Sequence, residues 1–211
     1  MHRTRIKICG ITGVDDALAA ARLGADAIGL VFYPPSPRAV SLTLATAIAH
    51  ALPPFVSIVA LFVNATRESV QSVIDKIRPT LLQFHGDEDT AYCNQFAMPY
   101  LKVIRVGAGM SGADLLIYEA QFPSAKALLL DTLAAGLYGG SGQMFDWQLV
   151  PAEMHARIVL SGGLHPENVG DAVRQIRPWA VDVSSGVEVE KGIKDHRKMA
   201  QFIEAVKNAD V

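Results

Sequence analysis

The pattern that decides the fold lies in residues 158–187, IVLSGGLHPENVGDAVRQIRPWAVDVSSGV. Two short apolar runs, at 157–160 and 179–183, are each followed at once by small residues, and a helix-like segment beginning at Pro166 separates them. Short apolar runs joined through a helix are typical of parallel strands that are buried on both faces. This stretch therefore predicts a strand–helix–strand unit near the end of the chain.

The same alternation of strand and helix runs through the rest of the 211 residues. The predicted strands are 5–10, 27–32, 56–63, 80–84, 100–106, 127–130, 157–160 and 179–183. The predicted helices are 14–23, 41–51, 66–77, 88–96, 112–121, 146–150, the segment after Pro166, and 194–208. Eight such units predict a compact (β/α)₈ barrel, a TIM barrel.

A doubly wound open sheet is the structural alternative to the barrel. That fold normally has fewer units and carries a glycine fingerprint after its first strand, where this chain has Cys-Gly-Ile-Thr-Gly. No linker, low-complexity tract or block of charge interrupts the pattern. We therefore expect residues 1–211 to form one barrel domain.

Composition excludes several classes of partner. The formal net charge of −2 and the absence of basic runs argue against nucleic acid and against a membrane surface. The longest apolar runs are far shorter than a membrane span, and the N-terminus has no signal-peptide pattern. The only cysteines, Cys9 and Cys93, are far apart and lack metal-ligand spacing. We expect a cytoplasmic protein with no nucleic-acid or membrane partner.

Two glycine- and serine-rich turns follow the last two predicted strands. They contain Gly162 and Gly163 in one case, and Ser184, Ser185 and Gly186 in the other. Exposed backbone N–H groups in such turns can converge on a phosphate, and TIM barrels often bind phosphate after strands seven and eight. Ordinary strand-to-helix turns also favour these residues, but the location of both turns favours a phosphate site.

Cys9 and Asp131 are the residues most suited to chemistry. In a TIM barrel the carboxyl ends of all strands open on one mouth, and both residues are predicted there. Cys9 is either a small buried hydrophobe or a base, and a base would need a nearby cation such as Lys7 or Arg38. Asp131 is either a structural cap or a general acid whose pKa is raised by partial desolvation. The glycine-rich loop 132–143 is a candidate lid for that desolvation.

Three further polar residues are predicted at the mouth. Arg38 follows a proline-rich loop and suits a carboxylate or phosphate, unless it is an ordinary surface arginine. His85 either binds substrate or caps the following helix. Asp182 either accepts a hydrogen bond from a sugar hydroxyl or pairs with Lys7 inside the barrel. No clustered ligand set or HExxH motif is present, so no metal site is predicted.

A set of sequence blocks covers nearly the whole chain. They are KICGIT (7–12), GLVF (29–32), SPR (36–38), FVN (62–64), QFHGDE (83–88), LD (130–131), GGSG (139–142), FDW (145–147), LSGGL (160–164), PENV (166–169) and VDVSSGVE (181–188). Together they resemble the phosphoribosylanthranilate isomerases of tryptophan biosynthesis. The departures are mild: Phe84 stands where the family often has leucine, and Ser141 where threonine is common.

The resemblance implies a TIM barrel of the ribulose-phosphate-binding type and an Amadori rearrangement of N-(5-phosphoribosyl)anthranilate without cofactor or metal. It implies Asp131 as the general acid, Cys9 as the general base and Arg38 as the residue that holds the anthranilate carboxylate. The two small-residue turns would hold the phosphate of this small-molecule substrate. Monomer and homodimer both stay open.

Two other functions are compatible with a phosphate-binding barrel. A related aminoaldose isomerase of histidine biosynthesis would typically carry two aspartates as acid and base, and Cys9 argues against it. A catalytically silent barrel that binds a sugar phosphate for regulation is the second alternative. The presence of both Cys9 and Asp131 argues against that function.

Overall fold

Eight parallel strands close into a barrel in the computed structural model, which describes residues 3–133 and 144–210. The strands are β1 (Arg5–Cys9), β2 (Ala27–Val31), β3 (Ser57–Phe62), β4 (Leu81–Phe84), β5 (Tyr100–Val106), β6 (Ala127–Thr132), β7 (Ile158–Leu160) and β8 (Ala180–Val183). Each strand pairs with its neighbours in chain order, and β1 pairs with β8 to close the ring. The predicted (β/α)₈ barrel is confirmed, and the open doubly wound sheet is wrong.

Seven α-helices accompany the strands in the described residues. They are α1 (Val14–Leu23), α2 (Leu42–Ala51), α3 (Arg67–Ile77), α4 (Thr90–Asn94), α5 (Gly112–Gln121), α6 (Val169–Ile176) and α7 (His196–Ala209). Local signals set several of their ends. The hydroxyls of Ser41 and Thr66 accept hydrogen bonds from the first turns of α2 and α3, and Gly24 ends α1 in the left-handed conformation.

The connection between β6 and β7 differs from the prediction. The helix expected at 146–150 is a single 3₁₀ turn, Trp147–Leu149, and a second 3₁₀ helix, Ala152–Arg157, follows it. Pro151 lies between the two and has no N–H to continue a helical hydrogen-bond ladder. No α-helix occurs between these strands in the part of the chain that is described.

The chain after β8 also contains structure that periodicity did not predict. A short 3₁₀ helix, Ser185–Val187, leads into a two-stranded antiparallel pair, β9 (Glu188–Glu190) and β10 (Ile193–Lys194). The terminal helix therefore begins at His196, where Asp195 caps it, and not at the predicted residue 194. Two- and three-residue strands are too short to produce a readable apolar alternation.

The barrel interior changes from apolar to polar toward its mouth. Its centre is filled by a cluster of aliphatic side chains: Val59, Leu101, Val103, Leu129, Val159 and Ala180. Because side chains alternate along a strand, the next inward positions beyond this cluster are Leu61, Arg105, Asp131, Ser161 and Asp182. Apolar side chains therefore fill the centre of the barrel, and mostly polar side chains line its mouth. Among the described residues, no helix has the length and apolar character needed to cross a bilayer.

Candidate active site

One cleft at the carboxyl ends of the strands brings together the predicted polar residues. Its lining includes Cys9, Arg38, His85, Asp131 and Asp182. A second part of the lining is apolar and comes from β2, β3 and the segments after them: Val31, Tyr33, Leu61 and Val63. The cleft thus has one face for polar chemistry and one for an apolar group.

Cys9 is a free thiol at the end of β1, only 6 % exposed. Burial raises its pKa, since the thiolate is poorly solvated, and the Lys7 ammonium opposes that rise by charge and hydrogen bonding. Gly29 on β2 makes room for this contact. A Cβ at Gly29 would lie 2.7 Å from Cys9 Sγ and 3.0 Å from Lys7 Nζ. The cation predicted beside Cys9 is therefore present, but burial has the larger effect on the pKa of the thiol.

Lys7 is itself held by Asp182. Its Nζ donates to Asp182 Oδ1 at 2.8 Å, and Ser161 Oγ donates to Asp182 Oδ2 at 3.4 Å. Burial alone would lower the pKa of Lys7, but Asp182 and Cys9 outweigh burial and raise it. Of the two alternatives for Asp182, the structure shows the pairing with Lys7. Lys7 consequently stays charged next to the thiol.

Arg38 belongs to a buried ion network and not to the surface. Its Nε and Nη2 donate to the two carboxylate oxygens of Glu188 at 2.8 and 2.7 Å, and Lys194 Nζ donates to Glu188 Oε1 at 2.7 Å. Burial would raise the pKa of Glu188, but Arg38 and Lys194 together lower it. The surface-arginine alternative is therefore wrong. Nη1 is the guanidinium nitrogen without a bond to Glu188.

Asp131 and His85 approach each other on the far side of the cleft. Asp131, in β6, accepts a hydrogen bond from the N–H of Thr132 at 2.9 Å, and its Oδ2 lies 3.4 Å from His85 Nε2. Within residues 3–133 and 144–210, neither ring nitrogen of His85 has a well-aligned hydrogen bond. The cap of α4 is Asp89, which accepts from the N–H of Tyr92. The capping alternative for His85 is thus wrong, and its ring faces the cleft.

A buried carboxylate holds the turn that carries His85. Glu88 accepts from the N–H of Asn64 at 2.7 Å and from the N–H of Gly86 at 2.9 Å. Lys102 Nζ donates to Glu88 at 2.9 Å and to the carbonyl of Gly86 at 2.8 Å. Since these bonds join the turns after β3 and β4, they restrict the backbone next to His85.

The two predicted phosphate turns lie against each other. Gly162 and Gly163 both have positive φ, 82° and 65°, and their N–H groups donate to no atom of the described residues. A Cβ at Gly186 would lie 2.0 Å from the carbonyl oxygen of Leu164, so glycine is needed for the close approach of the second turn. Ser184 receives a hydrogen bond from Lys194, which places a cation beside this turn.

Three residues of the site have no role predicted from sequence: Gln83, Glu188 and Lys194. Glu188 and Lys194 lie in β9 and β10, whose pairing has no sequence signature. Gln83 and Glu188 lie inside two of the blocks that carry the family resemblance, but nothing in those blocks indicates what either side chain does. The candidate lid at 132–143 falls mostly outside the described residues, which omit 134–143. The described residues contain no group of three or more histidine, cysteine, aspartate or glutamate side chains able to hold a metal ion.

Comparison with known proteins gives consistent matches along the chain. Residues 6–205 match the family model of N-(5'-phosphoribosyl)anthranilate (PRA) isomerase. A curated N-(5'-phosphoribosyl)anthranilate isomerase from Dechloromonas aromatica is 55% identical over 208 residues, 99% of this chain and 98% of that protein.

Two solved structures are similar over 97% of this chain and 99% of their own. One is a phosphoribosyl anthranilate isomerase in complex with reduced 1-(o-carboxyphenylamino)-1-deoxyribulose 5-phosphate, 40% identical with a TM-score of 0.83. The other, from Thermotoga maritima, is described as monomers of a dimeric phosphoribosylanthranilate isomerase and is 38% identical with a TM-score of 0.83.

Proposed function

The chain belongs to the N-(5'-phosphoribosyl)anthranilate isomerase family, an isomerase of tryptophan biosynthesis, and on this premise we propose that Cys9 and Asp131 are its general base and general acid. The observation that carries the proposal is that these two buried residues, from β1 and β6, line the same cleft. A substrate bound between them would meet a proton donor and a proton acceptor on different sides, as acid–base catalysis requires.

The Amadori rearrangement needs a proton donor and a proton acceptor, which Asp131 and Cys9 supply. Asp131 protonates the furanose ring oxygen, and the ring opens to a Schiff base between C1′ and the anthranilate nitrogen. The cationic nitrogen acidifies the C2′ proton, which the Cys9 thiolate removes. The resulting enolamine tautomerises to the ketone: C1′ gains a proton and the C2′ hydroxyl loses one. The substrate thus supplies its own electron sink, and the chain supplies the acid, the base and the alignment.

Lys7 increases the fraction of Cys9 that is available as thiolate. Its ammonium lowers the pKa of the thiol against the larger effect of burial, and Asp182 keeps Lys7 in place. Asp182 also raises the pKa of Cys9 by its own negative charge. Asp182 thus holds this cation, and we propose that it also binds the substrate by accepting a hydrogen bond from a sugar hydroxyl.

The remaining contacts fit the three parts of the substrate. Nη1 of Arg38 is free of Glu188 and suits the anthranilate carboxylate. The apolar wall of Val31, Leu61 and Val63 suits the benzene ring next to that carboxylate. The N–H groups of Gly162 and Gly163, which donate to no atom of the described residues, together with the facing turn at Ser184–Gly186, suit the phosphate at the other end. His85 lies beside Asp131 and suits a contact near the ring oxygen.

Turnover of phosphoribosylanthranilate generated in situ, followed as loss of substrate fluorescence, tests the two assignments. Cys9→Ala and Asp131→Asn should each lower kcat by roughly 10²–10⁴-fold. Binding of the reduced product analogue should change little, because neither change removes a contact to the ends of the ligand. Cys93→Ala and Asp171→Asn are matched controls outside the cleft and should keep wild-type turnover. Wild-type kcat in Cys9→Ala or Asp131→Asn would remove that residue from the mechanism.

We also propose that residues 1–211 form one barrel domain, supported by the closure of β1 on β8. The protein is a homodimer, supported by the dimeric relative and by Phe55, a fully exposed aromatic side chain. It acts in the cytoplasm, supported by two unpaired buried thiols. Light scattering of the purified chain tests the dimer, because a monomer mass of 22.6 kDa would contradict it.

A further inference from the structure

Three orphaned polar atoms of the described part of the site lie at the end of β4: Oε1 of Gln83, in the strand, and the two ring nitrogens of His85, the residue that follows it. Both side chains line the cleft. Gln83 is 1% exposed, and its Oε1 has no hydrogen-bond partner among the described residues. A buried amide oxygen without a partner destabilises a folded protein, since it has lost its hydrogen bonds to water.

The fold itself does not need an amide at this position. The register partners of Gln83 are Leu61 on β3 and Leu101 on β5, and both leucines are buried. An apolar side chain of similar size at position 83 would continue this layer without an orphaned atom. An unpaired polar group between two buried leucines, at the wall of the cleft, points to a ligand that supplies the missing partner.

The chemistry of the substrate limits what that partner can be. At neutral pH its carboxylate and phosphate ends present acceptor oxygens, whereas Gln83 Oε1 needs a hydrogen-bond donor. The donors are in the middle of the molecule, on the anilino nitrogen and on the hydroxyls of the sugar chain. The ortho carboxylate of the same ring can accept from the anilino N–H, which leaves the hydroxyls as the donors for Gln83. This middle portion must lie between Cys9 and Asp131 for the reaction to occur, and Gln83 lines the same cleft.

We propose that Gln83 is a substrate-binding residue whose carboxamide oxygen accepts a hydrogen bond from a hydroxyl of the ring-opened ribose chain. This inference rests on the proposed function. The amide carries no charge and does not titrate, so it can orient the chain without competing for the protons that Cys9 and Asp131 transfer. Loss of this hydrogen bond is therefore expected to weaken substrate binding and to lower kcat, because the hydroxyl that Gln83 holds is close to the reacting carbons.

The test replaces Gln83 by methionine, which keeps the length of the side chain and removes its polar atoms. Gln83→Met should weaken binding of the reduced product analogue by about 10-fold to 100-fold and lower kcat/KM at least as much. Its urea midpoint should equal or exceed that of the wild type, since an orphaned buried acceptor has been removed. Gln175→Met, at an exposed position of α6, is the matched control and should change none of these quantities.

A second ligand separates the hydroxyl contact from a general disturbance of the cleft. It carries the same carboxyphenylamino and phosphate ends on an alkyl chain without hydroxyls. Wild type and Gln83→Met should bind this ligand equally well. Unchanged affinity for the hydroxylated analogue in Gln83→Met would overturn the proposal. Equal weakening of the binding of both ligands would also overturn it, as would a loss of affinity accompanied by a lower urea midpoint. Absence of turnover in the wild type would instead contradict the proposed function.

Discussion

Lys7 and Asp182 face each other across the seam that closes the barrel, with Nζ of one 2.8 Å from Oδ1 of the other. They are register partners on β1 and β8, and both are buried. The pair therefore does two things at once. It satisfies two charges inside the seam, and it holds an ammonium group beside Cys9, where the proposed mechanism needs a thiolate.

Breaking this pair on one side should cost stability as well as activity. Lys7→Met leaves the Asp182 carboxylate buried without its cation, which should lower the free energy of unfolding by about 3–5 kcal/mol. The double variant Lys7→Met/Asp182→Asn removes both charges and should regain most of that stability but little kcat/KM, because Cys9 still lacks its cation. Urea unfolding and turnover of both variants make the comparison. Wild-type kcat/KM in the double variant would show that Lys7 does not assist Cys9.

The dependence of kcat/KM on pH should report the ionisation of Cys9. Burial raises the pKa of the thiol above its ordinary value, so activity should rise with pH as the thiolate forms. Lys7 lowers this pKa, so Lys7→Met should move the rising limb to higher pH. Asp182 raises the same pKa, so Asp182→Asn should move the limb to lower pH. Shifts in the same direction for both variants would contradict this electrostatic arrangement.

Gly29 should tolerate no side chain. A Cβ there would lie 2.7 Å from Cys9 Sγ and 3.1 Å from Cys9 Cα, and the backbone contact cannot be relieved by rotating a side chain. Gly29→Ala should therefore displace Cys9 and lower kcat by about 10²-fold, the effect of a misplacement of about 1 Å. Gly13→Ala, where a Cβ meets nothing within 4 Å, is the control and should retain wild-type kcat. Equal activity of the two variants would contradict the tight placement of Cys9.

Glu188 should make folding stability depend on acidic pH. Arg38 and Lys194 lower its pKa in the folded protein below the ordinary value of 4.5. A lowered folded pKa means that the unfolded state binds protons first, so this stabilisation is fully present above pH 4.5 and is lost as the pH falls through the folded pKa. Urea unfolding at a series of acidic pH values should show a shallower decline for Glu188→Gln than for wild type. Parallel curves would show that Glu188 contributes nothing to acid sensitivity.

Much of the site could be predicted because the barrel topology brings the carboxyl ends of all eight strands together. Once the alternation implies a parallel barrel, residues such as Cys9, His85 and Asp131 at strand ends must meet at one mouth, however far apart they are in the chain. The alternatives for Arg38, His85 and Asp182 could not be resolved in this way, since each depends on a partner. Arg38, for example, is bound to Glu188, which is 150 residues away.

The remaining features depend on quantities that a sequence does not show. Burial raises the pKa of Cys9 and the nearby Lys7 charge lowers it. Only the three-dimensional arrangement shows that burial has the larger effect. The role inferred for Gln83 depends on its two leucine neighbours in the barrel layer. β9 and β10 have no periodic signal, although they supply Glu188 and Lys194.

The deuterium isotope effect at C2′ tests the assignment of Cys9 most directly. Phosphoribosylanthranilate carrying deuterium at C2′ is compared with the unlabelled substrate in the wild type, Cys9→Ser and Asp131→Asn. Serine is a far poorer base than a thiolate, so removal of the C2′ proton should limit the rate in Cys9→Ser. The isotope effect on kcat of this variant should therefore exceed that of the wild type. Asp131→Asn should show no such increase, because ring opening becomes slow instead. A wild-type rate and isotope effect in Cys9→Ser would contradict Cys9 as the base.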